Sequence, residues 1–321
     1  MLSVNGIMKI GGFYSYLDMR TLILTNCTNR KRSAGGDAAQ FRDIASGGLS
    51  RVVAQWGRTL EAPAERAPAR DVYCGRSFAE ALSASAHAGA ELRVVSAGLG
   101  LVPADIGIPT YSATISPGSE DSILAKMVGV TASAWWDDLV KESRFSKTTG
   151  PGEFDRIWVA LSGPYLDMIK HTLEGWVSEG FEGLRIFGKP TVLPNDLIPF
   201  AMPYDDRLND PTGPIPGTEG DFAQRALAHF SKLAVRDRLT SIEEDFVTVQ
   251  SSLFGLTAPQ KPNRQPKTDP EIRTIIRTEA RSIGWSSSKM LRHLRDKLDI
   301  ACEQKRFQKL FKAEMSGETA A

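Results

Sequence analysis

No window of the 321 residues approaches 18 consecutive apolar side chains, so no membrane-spanning helix is expected. The first twenty residues lack the basic start, apolar run and small-residue cleavage site of a signal peptide, which makes a cytoplasmic protein the expectation. Cysteine is scarce. Cys27, Cys74 and Cys302 are an odd count without a CxxC pair, which argues against a disulfide scaffold or a zinc ribbon. The four histidines, His87, His171, His229 and His293, are scattered and form no H-x-x-x-H pair, so neither a metal nor another cofactor is expected. No G-x-G-x-x-G runs into a helix, which removes the dinucleotide fingerprint.

What is present is an average globular composition, 41% hydrophobic and 24% charged, on a chain about twice the usual domain length. The net charge of +1 hides an asymmetry: residues 261–321 hold 14 Lys and Arg against 8 Asp and Glu, so this segment carries +6 and the rest −5. Between the two lies a proline-rich polar stretch. The expected organisation is an α/β domain over 1–257, a linker over 258–269 and a basic helical module over 270–321.

Short apolar, β-branched runs at 21–25, 92–96, 156–161 and 183–187 read as buried strands. Helical patterns fall between them at 78–90, 122–130, 164–179 and 219–238. That alternation predicts an α/β fold, a mostly parallel sheet with helices on both faces. Ligands of such sheets collect in the loops at the carboxyl ends of the strands.

The loop after the first strand holds Asn26, Cys27, Thr28, Asn29, Arg30 and Lys31, groups that can orient a water, bind a base edge or meet phosphates. It also reads as a solvated turn. The second strand ends in Ser96, Gly98 and Gly100, glycines that permit close backbone approach, and runs on to Asp105, Tyr111 and Asp121. Tyr111 suits stacking on a ligand or core packing, and Asp121 suits catalysis or a helix cap. Ser162, Gly163 and Tyr165 follow the third strand where a helix begins, a place for a phosphate or a routine cap. Arg207 precedes a long Pro/Gly loop. Asp221, Arg225 and His229, four residues apart, form a polar helical stripe, expected either to face a nucleic acid or to be a solvated surface. In the basic module, three short helices expose Lys305, Arg306 and Lys309, as expected of a nucleic-acid-binding bundle or a protein-interaction module.

The segments 22–31, 73–81, 94–103 and Tyr111 together resemble a bacterial family with a strand, a Cys-polar-Lys/Arg loop and an S-A-x-x-G-L-x-P loop. That family is similar to the peroxide-stress DNA-binding proteins and to the uracil-DNA-glycosylase-like domain of archaeosine synthase. The resemblance covers roughly the first third of the chain. It implies a uracil-DNA-glycosylase-like fold acting on N-glycosidic bonds in DNA, with an antiphage glycosylase that removes glucosylated hydroxymethylcytosine as a close candidate. It places Asn26 where the attacking water is held, and the Ser162 loop where the DNA backbone is pinched. The sequence has neither G-Q-D-P-Y nor H-P-S-P, so the family's catalytic acid and intercalating residue have no counterpart here, and Asp105 or Asp121 is expected to stabilise the cationic sugar. The expectation is a cofactor-free DNA glycosylase on modified duplex DNA, with a non-catalytic DNA-binding stress or architectural protein and a nucleoside hydrolase or transferase as alternatives.

Overall fold

Alternate residues of the first strand, β1 (Thr21–Asn26), bury on opposite faces: Leu22 and Leu24 join one core and Ile23 the other. A strand buried on both faces must sit inside a sheet covered on both sides. The computed structural model describes residues 19–35, 37–62, 65–188, 193–237, 241–260 and 263–318. After β1 come α1 (Leu49–Glu61), α2 (Arg76–Ala88), β2 (Glu91–Ser96), β3 (Gly100–Pro103), α3 (Ala132–Glu142), β4 (Arg156–Ala160), α4 (Gly163–Met168), α5 (Lys170–Ser178), β5 (Leu184–Ile186), α6 (Phe222–Asp237) and α7 (Ile242–Ser252).

The sheet order is β3-β2-β1-β4-β5, parallel throughout except for β3, which folds back on β2 as a hairpin. From β1 the chain crosses to β2 on one side and later returns to β4 on the other, which makes the carboxyl ends of β1 and β4 the topological switch point. There Asn26 lies level with Val95 of β2, and Thr25 with Ala160 of β4.

One face packs Leu22, Leu24, Ile157 and Val159 under Trp56 of α1, Trp135 of α3 and Trp176 of α5. The other packs Ile23, Trp158 and Ala160 under Ala81 and Ala84 of α2, Phe230 of α6 and Val249 of α7. This gives the three layers that the alternation of strands and helices predicts.

Two expected elements differ. Residues 122–130 form only a 3₁₀ turn at Leu124–Lys126, and the helix starts later, where the Thr131 side chain accepts from the Ala134 amide at 3.1 Å. The stretch after Ser96 turns straight into β3 and not into a ligand loop, because Gly100 takes φ +82°, the left-handed turn conformation that glycine adopts freely.

The chain divides at Pro259 and Gln260 into two units. In the second, β6 (Gln265–Pro266) pairs with β7 (Ile300–Ala301), and three helices, α8 (Asp269–Ile283), α9 (Ser287–Asp296) and α10 (Gln304–Glu318), enclose Ile272, Ile276, Met290, Leu294 and Phe307. The expected linker therefore ends earlier than 269, since Gln265 and Pro266 are already paired. No described helix is long and apolar enough to cross a membrane.

Candidate functional site

The loop after β1 is set by pairing with residues 72–74. Arg32 donates to the Val72 carbonyl at 2.8 Å, Lys31 bridges Tyr73, and Thr28 Oγ1 accepts from the Cys74 amide at 3.3 Å while donating to the Arg30 carbonyl at 2.7 Å. Asn29 and Arg30 stay exposed at its tip. Lys31 is thereby laid over the Tyr111 ring, its Nζ 4.4 Å from the centroid, and 6.0 Å from that of Tyr73.

Beneath it runs a chain of buried hydroxyls. Ser96 Oγ accepts from the amides of Gly98 and Leu99, at 3.2 and 3.0 Å, which occupies both lone pairs. Its proton therefore goes to the Tyr111 hydroxyl at 2.6 Å, and Tyr111 donates in turn to Tyr73 at 2.8 Å. Cys27 Sγ lies 3.1 Å from the Tyr165 hydroxyl. Burial raises the phenols of Tyr73, Tyr111 and Tyr165 well above their ordinary value, so they remain protonated donors. Burial also lowers the Lys31 ammonium below its ordinary value, against the pull of Cys27 and Asp121. Gly98 permits the packing: a Cβ there would press on the Tyr111 ring.

A pocket of about 180 Å³ is lined by Ser162, Gly163, Gly188, Glu219, Phe222 and Gln224, among others. Asn26 connects it to the cluster. Its Oδ1 accepts from the Ser162 amide at 3.2 Å and from Gln224 Nε2 at 3.1 Å, while its Nδ2 donates to the Cys27 carbonyl at 3.0 Å. Gln224, 2% exposed, also donates to the Ala160 carbonyl at 2.8 Å. The oxygen expected to hold an attacking water thus already accepts two hydrogen bonds. The pocket's ionisable lining residue is Glu219, which also accepts from Asn209 Nδ2 at 3.0 Å. A larger cavity of about 830 Å³ lies at the amino ends of β4 and β5, beside the buried Arg185–Asp245 ion pair, away from these residues.

The structure gathers Asn26, Cys27, Lys31, Ser96, Gly98, Tyr111, Ser162, Gly163 and Tyr165 at the carboxyl end of the sheet, with Gly100 closing the hairpin nearby. Several expected residues stand elsewhere. Asp105 follows the antiparallel β3, hence lies at the opposite end, and pairs with Arg70 at 2.8 Å in the open. Asp121 neither caps a helix nor stands free. It receives Ser112 Oγ at 2.9 Å and Arg42 through its backbone amide, Nε and a terminal nitrogen. Burial would raise this carboxyl, but the Arg42 and Ser112 bonds outweigh it and hold it below the usual range.

The Asp221, Arg225, His229 stripe is internal and does not face a nucleic acid. Arg225 is 0% exposed, and its five donors reach five acceptors: Asp221 Oδ1, the carbonyls of Leu208, Ile215 and Thr218, and Asn209 Oδ1. A Cβ at Gly217 would collide with that guanidinium. His229 is buried against the Tyr204 hydroxyl at 3.0 Å. Arg207 is held by Asp205 at 2.9 Å, and Arg306 by Asp269 at 2.6 Å, whereas Lys305 and Lys309 are exposed.

Sequence reasoning missed Tyr73, Gln224 and Glu219. Gln224 had a signal, a polar residue on the helix face that buries Leu227 and Ala228. Glu219 had none, because an acid in a first helical turn reads as a dipole partner. Among the described residues, no group of three or more His, Cys, Asp or Glu side chains is placed to hold a metal ion. No protein-family model, curated protein or solved structure matches the chain.

Proposed function

We propose that the first unit is a cytoplasmic, cofactor-free DNA glycosylase of the uracil-DNA-glycosylase-like type, and that the second unit supplies affinity for duplex DNA. One observation carries this reading. The segments that resemble the glycosylase-like family, 22–31, 73–81, 94–103 and Tyr111, are far apart in sequence yet converge on one cluster, with Lys31 over Tyr111 and Tyr111 bonded to both Tyr73 and Ser96. It lies at the carboxyl ends of β1 and β2, next to the switch point between β1 and β4 where such a sheet takes its ligand.

The chemistry demanded is modest. A base extruded from the duplex loses its C1′–N bond, the bonding electrons leave with the base, and water adds to the cationic sugar with loss of a proton. In this account the pocket beside Asn26 takes the extruded nucleotide. Glu219 supplies the carboxylate that stabilises the cationic sugar and takes the water's proton. The substrate to test first is duplex DNA carrying glucosylated hydroxymethylcytosine, in keeping with a role against phage.

The full chain is incubated with that duplex and with an unmodified one of the same sequence, and abasic sites are read as alkali-labile breaks. Breaks at the modified positions only are expected. Bound DNA without breaks would replace this reading with the non-catalytic one, and activity on free nucleoside alone would replace it with a nucleoside hydrolase.

A further inference from the structure

In the second unit, α8 and α9 are joined by three residues, Gly284, Trp285 and Ser286. The joint is tightly defined: the Gly284 amide donates to the Arg281 carbonyl at 3.3 Å and the Trp285 amide to the Ala280 carbonyl at 3.0 Å, with φ at +84° and +55°. Ser286 then caps α9, accepting from the Lys289 amide at 3.4 Å. A left-handed backbone is ordinary for glycine but costs a tryptophan about 1 kcal/mol or more. The chain nonetheless places Trp285 there with 39% of its surface exposed. A short turn containing glycine between two helices, with a third helix, α10, packed on both, is the connectivity of a helix-turn-helix unit.

The cations of this unit separate into two sets. Arg264, Arg273, Arg277 and Arg306 are bound to Asp296, Glu314, Glu314 and Asp269 and hold the bundle together. Lys289 and Arg292 on α9 are exposed without an acidic partner among the described residues, as are Lys305, Lys309 and Lys312 on α10. Lys289 and Arg292 share the outward face of α9 with Ser288, while Met290, Leu291 and Leu294 turn inward, and the exposed Trp285 precedes the helix. Asp296, the acid at the far end of α9, is neutralised by Arg264 at 2.9 Å. This face is cationic, carries hydroxyl, ammonium and guanidinium donors, and has an aromatic ring at its head. It complements the acceptor-rich edge of guanine and the flanking phosphates.

We propose that the outer face of α9, headed by Trp285, is the recognition surface by which this unit enters the major groove of duplex DNA. The inference rests on the reading that residues 260–321 bind DNA and specifies where. It moves the principal DNA-facing surface from α10, which the sequence favoured, to α9.

Binding of the full-length protein to a labelled duplex of about 20 base pairs is measured across a salt series, for wild type, Lys289→Ala/Arg292→Ala, Trp285→Ala and Lys305→Ala/Lys309→Ala. The α9 double variant should bind at least tenfold more weakly and flatten the slope of log K against log salt by about 2, one for each phosphate left without its cation. Trp285→Ala should weaken binding with less change of slope. Methylation of guanine N7, which lies in the major groove, should interfere with wild-type binding. Unchanged affinity in the α9 double and Trp285 variants, with weakening confined to the α10 pair, would overturn the assignment to α9 while leaving DNA binding intact. A wild-type chain that does not bind the duplex would overturn both. Melting temperatures within a few degrees of wild type show that exposed positions, and not the fold, were changed.

Discussion

Asn26 Oδ1 accepts a hydrogen bond from Gln224 Nε2 at 3.1 Å, so the end of the central strand is fixed by a helix 198 residues further along the chain. The same oxygen holds the Ser162 amide, and through it the strand-end loop that lines the pocket. The Asn26 amide thus ties β1, the Ser162 loop and α6 together.

That role is separable from catalysis by substitution. Asn26→Asp keeps both acceptor bonds and should retain base release within about tenfold, whereas Asn26→Ala removes the acceptor of the exposed Ser162 amide and one of the three acceptors of Gln224 Nε2, and should lower turnover with a loss of stability of about 1 kcal/mol. If Asn26→Asp abolishes release while leaving stability intact, Asn26 touches the reacting atoms directly.

Arg225 should behave as a structural residue. Its removal leaves the buried Asp221 carboxylate with only the Thr218 amide and Arg76 and takes the donor from the Leu208 and Ile215 carbonyls, so Arg225→Ala should lower unfolding free energy by about 3 kcal/mol or more in denaturant titrations. A fully stable variant with weakened DNA affinity would restore the surface role that the helical stripe suggests.

Acid should destabilise the first unit through His229. Burial, with Lys232 and Arg236 nearby, lowers its pKa from 6.5 to about 4. The folded state therefore resists the proton that the unfolded chain accepts. The full contribution is present above pH 6.5 and is lost as pH falls towards 4, by roughly 3 kcal/mol in all. His229→Gln should flatten the fall in melting temperature across that window, and an unchanged pH profile would place the imidazole in contact with solvent.

Tyr111→Phe removes the middle of the hydroxyl chain, leaving Ser96 without an acceptor and Tyr73 without a donor. A destabilisation of about 1–3 kcal/mol is expected in denaturant unfolding. A neutral result would show that the chain rearranges around the gap.

The strands of the parallel sheet were legible because a strand buried on both faces is a continuous apolar run, as in Thr21–Asn26 and Arg156–Ala160. β3 was not, being four residues flanked by Gly100 and Pro103. The positions of Asn26, Ser96 and Ser162 at the carboxyl end of the sheet were legible because strand ends mark them. The fate of their partners was not: Asp105 and Asp121 look alike in sequence, yet one faces solvent beside Arg70 and the other is enclosed by Arg42. A stripe at four-residue spacing likewise cannot say whether it meets solvent or a folded-over loop. For Arg225 the loop 208–218 decides.

The central claim is tested most directly by release of free modified base from glucosylated hydroxymethylcytosine duplex under single turnover, comparing wild type with Glu219→Gln. The substitution keeps an acceptor for Asn209 but removes the pocket's carboxylate. Wild type should liberate the base and leave an abasic site, and Glu219→Gln should do so about 10² or more slower with DNA affinity unchanged, the size expected for a general base. Equal rates would remove Glu219 from the chemistry, and DNA bound by the wild type without any base released would contradict the glycosylase account.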